Sequence, residues 1–170
     1  QGKKNLKIIS IPNPIATDFL IKSGCVSHAT FSFNGIYFED GFVIMPNFRN
    51  AIENRLIDWK ETDALEIIQA LKASAAGLEE IEIPNFRNSD YLKKNPYKKI
   101  EGGKVLTKPA KPDFALIHAQ YADKEGNVLI EDPIIDRLVS SASKNTIVSV
   151  EKILDRISSV TIPKEKIGNH

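Results

Sequence analysis

The stretch that decides the fold is Asp113-Phe-Ala-Leu-Ile-His-Ala-Gln-Tyr-Ala-Asp-Lys-Glu-Gly-Asn127, which Val128-Leu-Ile130 follows. Its apolar first half predicts a buried strand that ends at His118-Ala-Gln120. A polar turn comes next, because Gly and Asn, at positions 126 and 127, tolerate the positive φ that a tight reversal of the chain requires. Residues 146–150, Thr-Ile-Val-Ser-Val, predict another strand of the same apolar character. Strands with such continuous apolar runs are typical of a parallel sheet buried on both faces.

Strands and helices alternate along the rest of the chain. Apolar runs predict strands at residues 6–10, 26–33, 57–60 and 81–83, and helical spacing predicts helices at residues 16–22, from Pro46 onward, at 63–76 and at 132–142. The helix at 63–76 gives the clearest signal, since Asp63 can cap its first turn and Ile67 and Leu71 share an apolar face. In the last helix, Ile134 is expected on the buried stripe. This alternation predicts an α/β fold with a mostly parallel open sheet and flanking helices.

The composition is that of an ordinary globular protein, with 42% apolar and 26% charged residues. A net charge of +1 gives no reason to expect a nucleic acid or an anionic membrane as partner, and no apolar run approaches the roughly 20 residues of a membrane helix. The single cysteine, Cys25, excludes an internal disulfide, and a reducing cytoplasm is the expected compartment. The three histidines are scattered without metal-ligand spacing, so no metal site is predicted.

We expect a single α/β domain over residues 1–170, with a long surface excursion at residues 85–112. That segment is rich in proline, glycine and lysine. Residues 104–107 are its only predicted pairing segment. A loop of this length is uncommon unless it serves a function or contacts a partner.

The segment at residues 34–41, Asn-Gly-Ile-Tyr-Phe-Glu-Asp-Gly, is the most attractive candidate for chemistry. It is predicted to be a loop after a strand end, and it carries the adjacent carboxylates Glu39 and Asp40. The neighbouring aromatic side chains can desolvate a carboxylate and raise its pKa, as a general base or a nucleophile requires. Arg49, a few residues further on, can serve as a counter-charge or as a clamp for a substrate carboxylate. The alternative interpretation is a solvated turn in front of a helix.

Polar side chains also follow the two apolar strands. His118 and Gln120 lie at the predicted end of one strand and Glu151 at the end of the other. Open α/β sheets bind ligands at the carboxyl edge, so His118 and Gln120 are candidate substrate-binding residues. The alternative is structural, with His118 fixing the following turn through a hydrogen bond and Glu151 acting as a capping or interface carboxylate.

Several motifs together resemble one known family. They are the block "ALIHAQ..AD..GNV" at 115–128, the following "IV.VE.I" at 147–153, Ser32-Phe-Asn-Gly35 with Glu39, Pro46-Asn-Phe-Arg49, and Ala73-Ser-Ala-Ala-Gly-Leu78. This pattern, which covers most of residues 5–155, resembles the family I CoA-transferases, and in particular the alpha subunit of the glutaconate CoA-transferase type.

The resemblance implies a CoA-transferase-like fold and an enzyme that moves CoA between small carboxylic acids. In that family a glutamate attacks the acyl-CoA thioester, and it belongs to the beta subunit, in a Ser-Glu-Asn-Gly or related motif that this sequence lacks. The resemblance therefore implies a hetero-oligomer in which this chain needs a beta subunit. The CoA thioester is a substrate, and no permanently bound cofactor is expected. Ser32, Asn34, Glu39 and Arg49 are implied as the acid-binding wall.

Two alternatives stay open. Some relatives with the same alpha pattern resemble hydrolases that open a ring in a CoA-linked steroid fragment, and there Glu39 would be the base. The chain also resembles the middle of an alpha subunit, because a Gly-Gly-Phe turn near the start and a Gly-Ala-His-Pro-like stretch near the end are not found. The third interpretation is therefore a shortened, non-catalytic binding or scaffold protein.

Overall fold

The computed structural model describes residues 2–11, 13–84, 99–131 and 133–157. The elements, in chain order, are β1 (Leu6–Ser10), α1 (Pro14–Lys22), β2 (Val26–Phe31), β3 (Gly35–Phe38), β4 (Gly41–Ile44), α2 (Pro46–Glu53), β5 (Asp58–Glu61), α3 (Ala64–Ala75), β6 (Ile81–Glu82), β7 (Lys99–Glu101), β8 (Lys104–Thr107), β9 (Phe114–Asp123), β10 (Val128–Leu129), α4 (Asp136–Ala142) and β11 (Asn145–Leu154). The chain divides into two compact units, residues 1–68 and residues 69–170, with the boundary inside α3.

The first unit is built on a parallel sheet of three strands in the order β1-β2-β5. Helices α1 and α2 pack beside each other in this unit. Its core contains Ile21, Val26, Ala29, Phe31, Phe48 and Ala51. Phe31 of the central strand meets Phe48 of α2 edge to face, with ring centroids 4.7 Å apart. The predicted α/β fold with parallel strands and flanking helices is confirmed.

Proline and a small polar residue set the start of the first helix. Pro14 opens α1, and the Asn13 side chain accepts a hydrogen bond from the backbone of Ala16 at 3.3 Å. In α3, the backbone N–H of Leu65 donates to the Asp63 carboxylate at 2.7 Å, which confirms the predicted cap.

The segment expected to be a loop at residues 34–41 is instead the first half of a β-hairpin. Strands β3 and β4 pair antiparallel, with Gly35 opposite Ile44 and Phe38 opposite Gly41. The flanking residues are aromatic or β-branched, which favours strands over an open loop. Glycine at position 35 leaves room for the ring of Phe42, which an added Cβ would force to move. Gly41 adopts φ of +127°, so it closes the two-residue turn without strain.

The second unit contains a sheet in the order β10-β9-β11. Strand β9 pairs antiparallel with β10 and parallel with β11. The expectation that the first strand ends at His118 is wrong, because β9 continues to Asp123. His118 and Gln120 break the apolar run but keep the alternation of buried and exposed positions, so they continue the strand.

The expectation that these strands are buried on both faces is also wrong. Ala115, Ile117 and Ala119 form the buried face of β9. Phe114 and Leu116 on its other face, and Ile147 of β11, are each more than half exposed. Among the described residues, this apolar face is therefore accessible.

Residues 99–107, part of the segment expected to be a surface excursion, form strands. Strand β8 lies at the centre of a small antiparallel sheet in the order β6-β8-β7, with Val105 buried. Residues 85–98 of the same segment lie outside the described residues. The last helix begins at Asp136, later than expected, and Ile134 is 87% exposed rather than buried.

The turn between β9 and β10 is organised by one buried carboxylate, Asp123. Its oxygens accept hydrogen bonds from the backbone N–H groups of Glu125 and Asn127 at 3.0 Å, from the Asn127 side chain, and from the backbone of Ile157 at 3.1 Å. The Asn127 side-chain amide, more than any other group, holds the pKa of Asp123 below its ordinary value, with the three backbone N–H groups adding to the effect.

Asp123→Ala should therefore destabilise the chain, because four donors lose their acceptor. We expect thermal unfolding at pH 7 to shift down by about 5 °C or more. The matched control is Asp155→Ala, which removes an exposed carboxylate paired with Lys124 at 2.8 Å and should have little effect. Equal melting temperatures for the two variants would contradict this role of Asp123.

The lowered pKa of Asp123 also predicts a pH dependence. The carboxylate stabilises the fold fully above its unfolded-chain pKa of about 3.9, and this contribution is lost as the pH falls through the lower folded-state pKa. Asp123→Asn should remove that part of the acid sensitivity. The measurement is the free energy of unfolding of the parent protein and of Asp123→Asn as the pH is lowered from 7, each expressed relative to its own value at pH 7. If both proteins lose stability equally, the prediction is wrong.

Candidate functional site at the carboxyl end of strand β2

The predicted site residues Ser32 and Asn34 lie directly after the carboxyl end of the central strand β2. Glu39 lies in the turn of the hairpin that follows, and Arg49 lies in α2. All four belong to the first unit. The carboxyl ends of parallel strands are the usual position of ligand sites in open α/β sheets, which agrees with the placement of Ser32 and Asn34.

Asn34 has the most unusual environment of the four. It is 6% exposed, and neither its side-chain nitrogen nor its side-chain oxygen has a hydrogen-bond partner among the described residues. Its backbone carbonyl accepts a hydrogen bond from Met45 N–H at 3.3 Å, which closes the base of the hairpin next to α2. Buried polar groups in proteins are nearly always hydrogen-bonded, so both atoms of this amide are available to a water molecule, a ligand or another chain.

Glu39 and Asp40 are exposed in the hairpin turn. The aromatic side chains that precede Glu39 do not cover it, since Tyr37 is 75% and Phe38 61% exposed. The ring of Phe42 packs instead between those of Phe33 and Tyr37, with centroid distances of 5.4 and 5.2 Å. The desolvation of Glu39 that the sequence suggested is therefore not found within the described part of this chain.

Arg49 projects from the first half of α2 and is exposed. Its Nε donates to Glu53 Oε1 at 2.7 Å, one helical turn further on. This hydrogen bond, and secondarily the negative charge of Glu53, raise the pKa of Arg49, so the guanidinium stays charged. A substrate carboxylate bound by Arg49 would share the guanidinium group with the carboxylate of Glu53.

Asp18 belongs to this region, although sequence reasoning did not select it. It lies in α1 and is 5% exposed, and its carboxylate accepts hydrogen bonds from the Asn47 side chain at 2.6 Å and from the Phe48 backbone at 2.8 Å. The only sequence signal was a single acidic residue in a mostly apolar helix, and that signal does not identify a partner about thirty positions away.

His118 and Gln120 lie in the second unit, on β9. His118 Nδ1 is 3.0 Å from Ser149 Oγ, and its Nε2 is 3.8 Å from a carboxylate oxygen of Glu151. The Gln120 side-chain oxygen accepts the backbone N–H of Glu131 at 3.0 Å. The structure thus brings His118 and Glu151 together across neighbouring strands, and Gln120 holds the chain just after β10. Their role in substrate binding stays a prediction.

The described residues contain no group of three or more histidine, cysteine, aspartate or glutamate side chains that could hold a metal ion. Within the same ranges, none of the helices has the length and apolar character needed to cross a membrane.

The family model for coenzyme A transferase matches residues 1–166. The chain therefore belongs to the coenzyme A transferase family. It is 30% identical to the A-type subunit of the 3-oxoadipate CoA-transferase of Pseudomonas knackmussii over 168 residues, which cover 93% of this chain and 58% of that protein. This chain thus spans less than two thirds of that relative.

Solved structures give the same result for the fold. A variant of the decarboxylase AibA/AibB superposes with a TM-score of 0.85 at 30% identity, covering 98% of this chain and 66% of that one. The glutaconate coenzyme A-transferase of Acidaminococcus fermentans superposes with a TM-score of 0.68 at 21% identity, covering 89% of this chain and 54% of that one. The CoA-transferase-like fold implied by the sequence motifs is confirmed.

Proposed function

We propose that this chain is the alpha-type subunit of a CoA-transferase that moves CoA between small carboxylic acids, and that a beta subunit carries the attacking glutamate. The observation that carries this proposal is the buried amide of Asn34 at the carboxyl end of β2, whose nitrogen and oxygen lack partners among the described residues. Membership of the family and the likeness to one subunit of a 3-oxoadipate CoA-transferase support it.

The side chain of Asn34 can bind two kinds of group. Its nitrogen can donate to a substrate carboxylate, which is a charge-assisted and hence strong hydrogen bond. Its oxygen needs a donor, and a carboxylate offers none, whereas the amide N–H groups in the pantetheine arm of CoA do. If Asn34 contacts both the acid and the CoA thioester, its side-chain nitrogen and oxygen therefore both gain hydrogen-bond partners. Arg49, and Ser32 through its hydroxyl, would complete the acid-binding wall.

A second chain is part of the proposal because the hairpin is poorly covered. Tyr37 and Phe38 are largely exposed, and clustered exposed aromatic side chains are typical of surfaces that another chain covers. Covering the hairpin would also desolvate Glu39, which would strengthen this carboxylate as a base. That role belongs to the ring-opening hydrolase, whereas in the CoA-transferase Glu39 belongs to the acid-binding wall with Ser32, Asn34 and Arg49.

The first test replaces the Asn34 amide. Asn34→Ala, assayed with a beta-type partner, should raise the KM for the acceptor acid or for the acyl-CoA by about tenfold or more, because a hydrogen bond to a charged group is lost. The melting temperature should barely change, since the side chain has no hydrogen bond to the described residues that could be removed.

The matched control is Asn54→Ala, because Asn54 is exposed just after α2 and its side-chain nitrogen donates to Asn50 of that helix. It should leave both KM values unchanged. If Asn34→Ala behaves like this control in every kinetic constant, the proposed site is wrong.

The second test concerns Glu39 and separates the reaction types. With a partner subunit present, CoA transfer requires the acceptor acid, and Glu39→Gln should chiefly weaken acid binding. Consumption of acyl-CoA without any acceptor, abolished by the same variant, would favour the ring-opening hydrolase instead. Release of carbon dioxide without an acceptor would favour a decarboxylase, as in the structurally similar AibA/AibB. No turnover with any partner would support the non-catalytic binding protein.

The third test uses the Arg49–Glu53 pair. Arg49→Lys should raise the KM for the acid by about tenfold, because lysine cannot form the two parallel hydrogen bonds that the guanidinium offers. Glu53→Gln should lower the same KM by about twofold, because the competing exposed carboxylate is gone. An unchanged KM in both variants would remove Arg49 from the site.

A further inference from the structure

The buried carboxylate of Asp18 closes the start of a helix that is not its own. Asp18 lies in α1, with Oδ1 2.8 Å from the backbone nitrogen of Phe48 and Oδ2 2.6 Å from the side-chain nitrogen of Asn47. Both partners lie in the first turn of α2. The residue that precedes α2, Met45, makes no side-chain capping bond of its own.

The first turn of any helix leaves backbone N–H groups without partners inside the helix. A side chain at the N-cap usually satisfies one of them, but methionine cannot. Asp18 supplies the missing acceptor from the neighbouring helix, and its negative charge lies at the positive end of the α2 dipole. A carboxylate that is 5% exposed is costly unless it is hydrogen-bonded, so this pairing fixes the two helices against each other.

The residues that Asp18 holds lie between two parts of the proposed site. Phe48 directly precedes Arg49 in the chain, and Met45, just before α2, donates its N–H to the carbonyl of Asn34. A shift of the start of α2 therefore displaces both Arg49 and the backbone of Asn34. Phe48 is also buried against Phe31 of β2, so the helix start is tied to the strand end as well.

We infer that Asp18 is a positioning residue for acid binding, which it serves by holding the first turn of α2. This inference rests on the proposed function, because it assigns no contact between Asp18 and substrate. Asp18 acts through Arg49 and Asn34, and its loss should affect the KM for the acid more than that for the acyl-CoA.

The test is a reciprocal exchange of the two side chains, made in the assembled enzyme. Asn47→Asp sets two carboxylates at hydrogen-bonding distance, so their repulsion should raise the KM for the acid by about tenfold or more. Asp18→Ala should do the same by removing the acceptor. The double exchange Asp18→Asn with Asn47→Asp restores one carboxylate and one amide, with the amide oxygen still able to accept from Phe48, and it should return the KM to within about twofold of the parent value.

Asp63→Ala is the matched control, because Asp63 caps α3, which carries no proposed substrate group, with a bond of 2.7 Å. It should lower the melting temperature and leave the KM for the acid unchanged. The inference is overturned if Asp18→Ala changes that KM no more than Asp63→Ala does, or if the double exchange restores stability without restoring the KM.

Hydrogen exchange at the Phe48 amide separates this inference from the proposed function. Loss of protection in Asp18→Ala, with protection regained in the double exchange, would establish the cap independently of activity. If that pattern appears while Arg49→Lys and Asn34→Ala leave all kinetic constants unchanged, the proposed function fails and the positioning role fails with it. If Arg49→Lys and Asn34→Ala weaken acid binding but Phe48 protection is the same in every Asp18 variant, only the inference about Asp18 fails.

Discussion

The hydrogen bonds around the start of helix α2 are the constraint on which the first unit depends. Met45 N–H is bonded to the carbonyl of Asn34, and Phe48 N–H is bonded to the carboxylate of Asp18. These two bonds join the end of β2, the base of the hairpin, helix α1 and helix α2 at one place. Because both backbone groups have fixed partners, the Asn34 amide, which is unpartnered among the described residues, lies within a well-defined frame rather than in a loose loop.

The same frame explains why this chain is proposed to provide only one side of a reaction site. It supplies a buried amide and an exposed guanidinium, which can bind and orient an acid. Its candidate carboxylate, Glu39, is exposed to water in the hairpin turn. Binding groups are thus preorganised within the chain, whereas the desolvation that chemistry requires has to come from substrate or from a second chain.

Local signals in the sequence predicted the starts of helices, which depend on interactions between residues close together in the chain. Pro46 marked the start of α2, and Asp63 marked that of α3, because proline and capping side chains act within a single helical turn. The hairpin was missed, because Asn34 and Gly41 are typical loop residues and the pairing between Gly35 and Ile44 is not visible in either strand alone. The sequence predicts a strand end at His118, because an exposed polar position within a strand resembles the end of an apolar run.

The features that define the candidate site depend on contacts between distant parts of the chain. Nothing near Asp18 in the sequence shows that it caps a helix about thirty residues later, and the burial of the Asn34 amide follows only from packing. The family motifs did select Asn34 and Arg49, although they could not show how each is held. The most direct measurement is a crystal structure of this chain with a beta-type subunit and bound substrate. We expect a substrate atom within about 3 Å of the Asn34 side-chain nitrogen or oxygen. Substrate bound elsewhere, with that amide in contact only with protein and water, would contradict it.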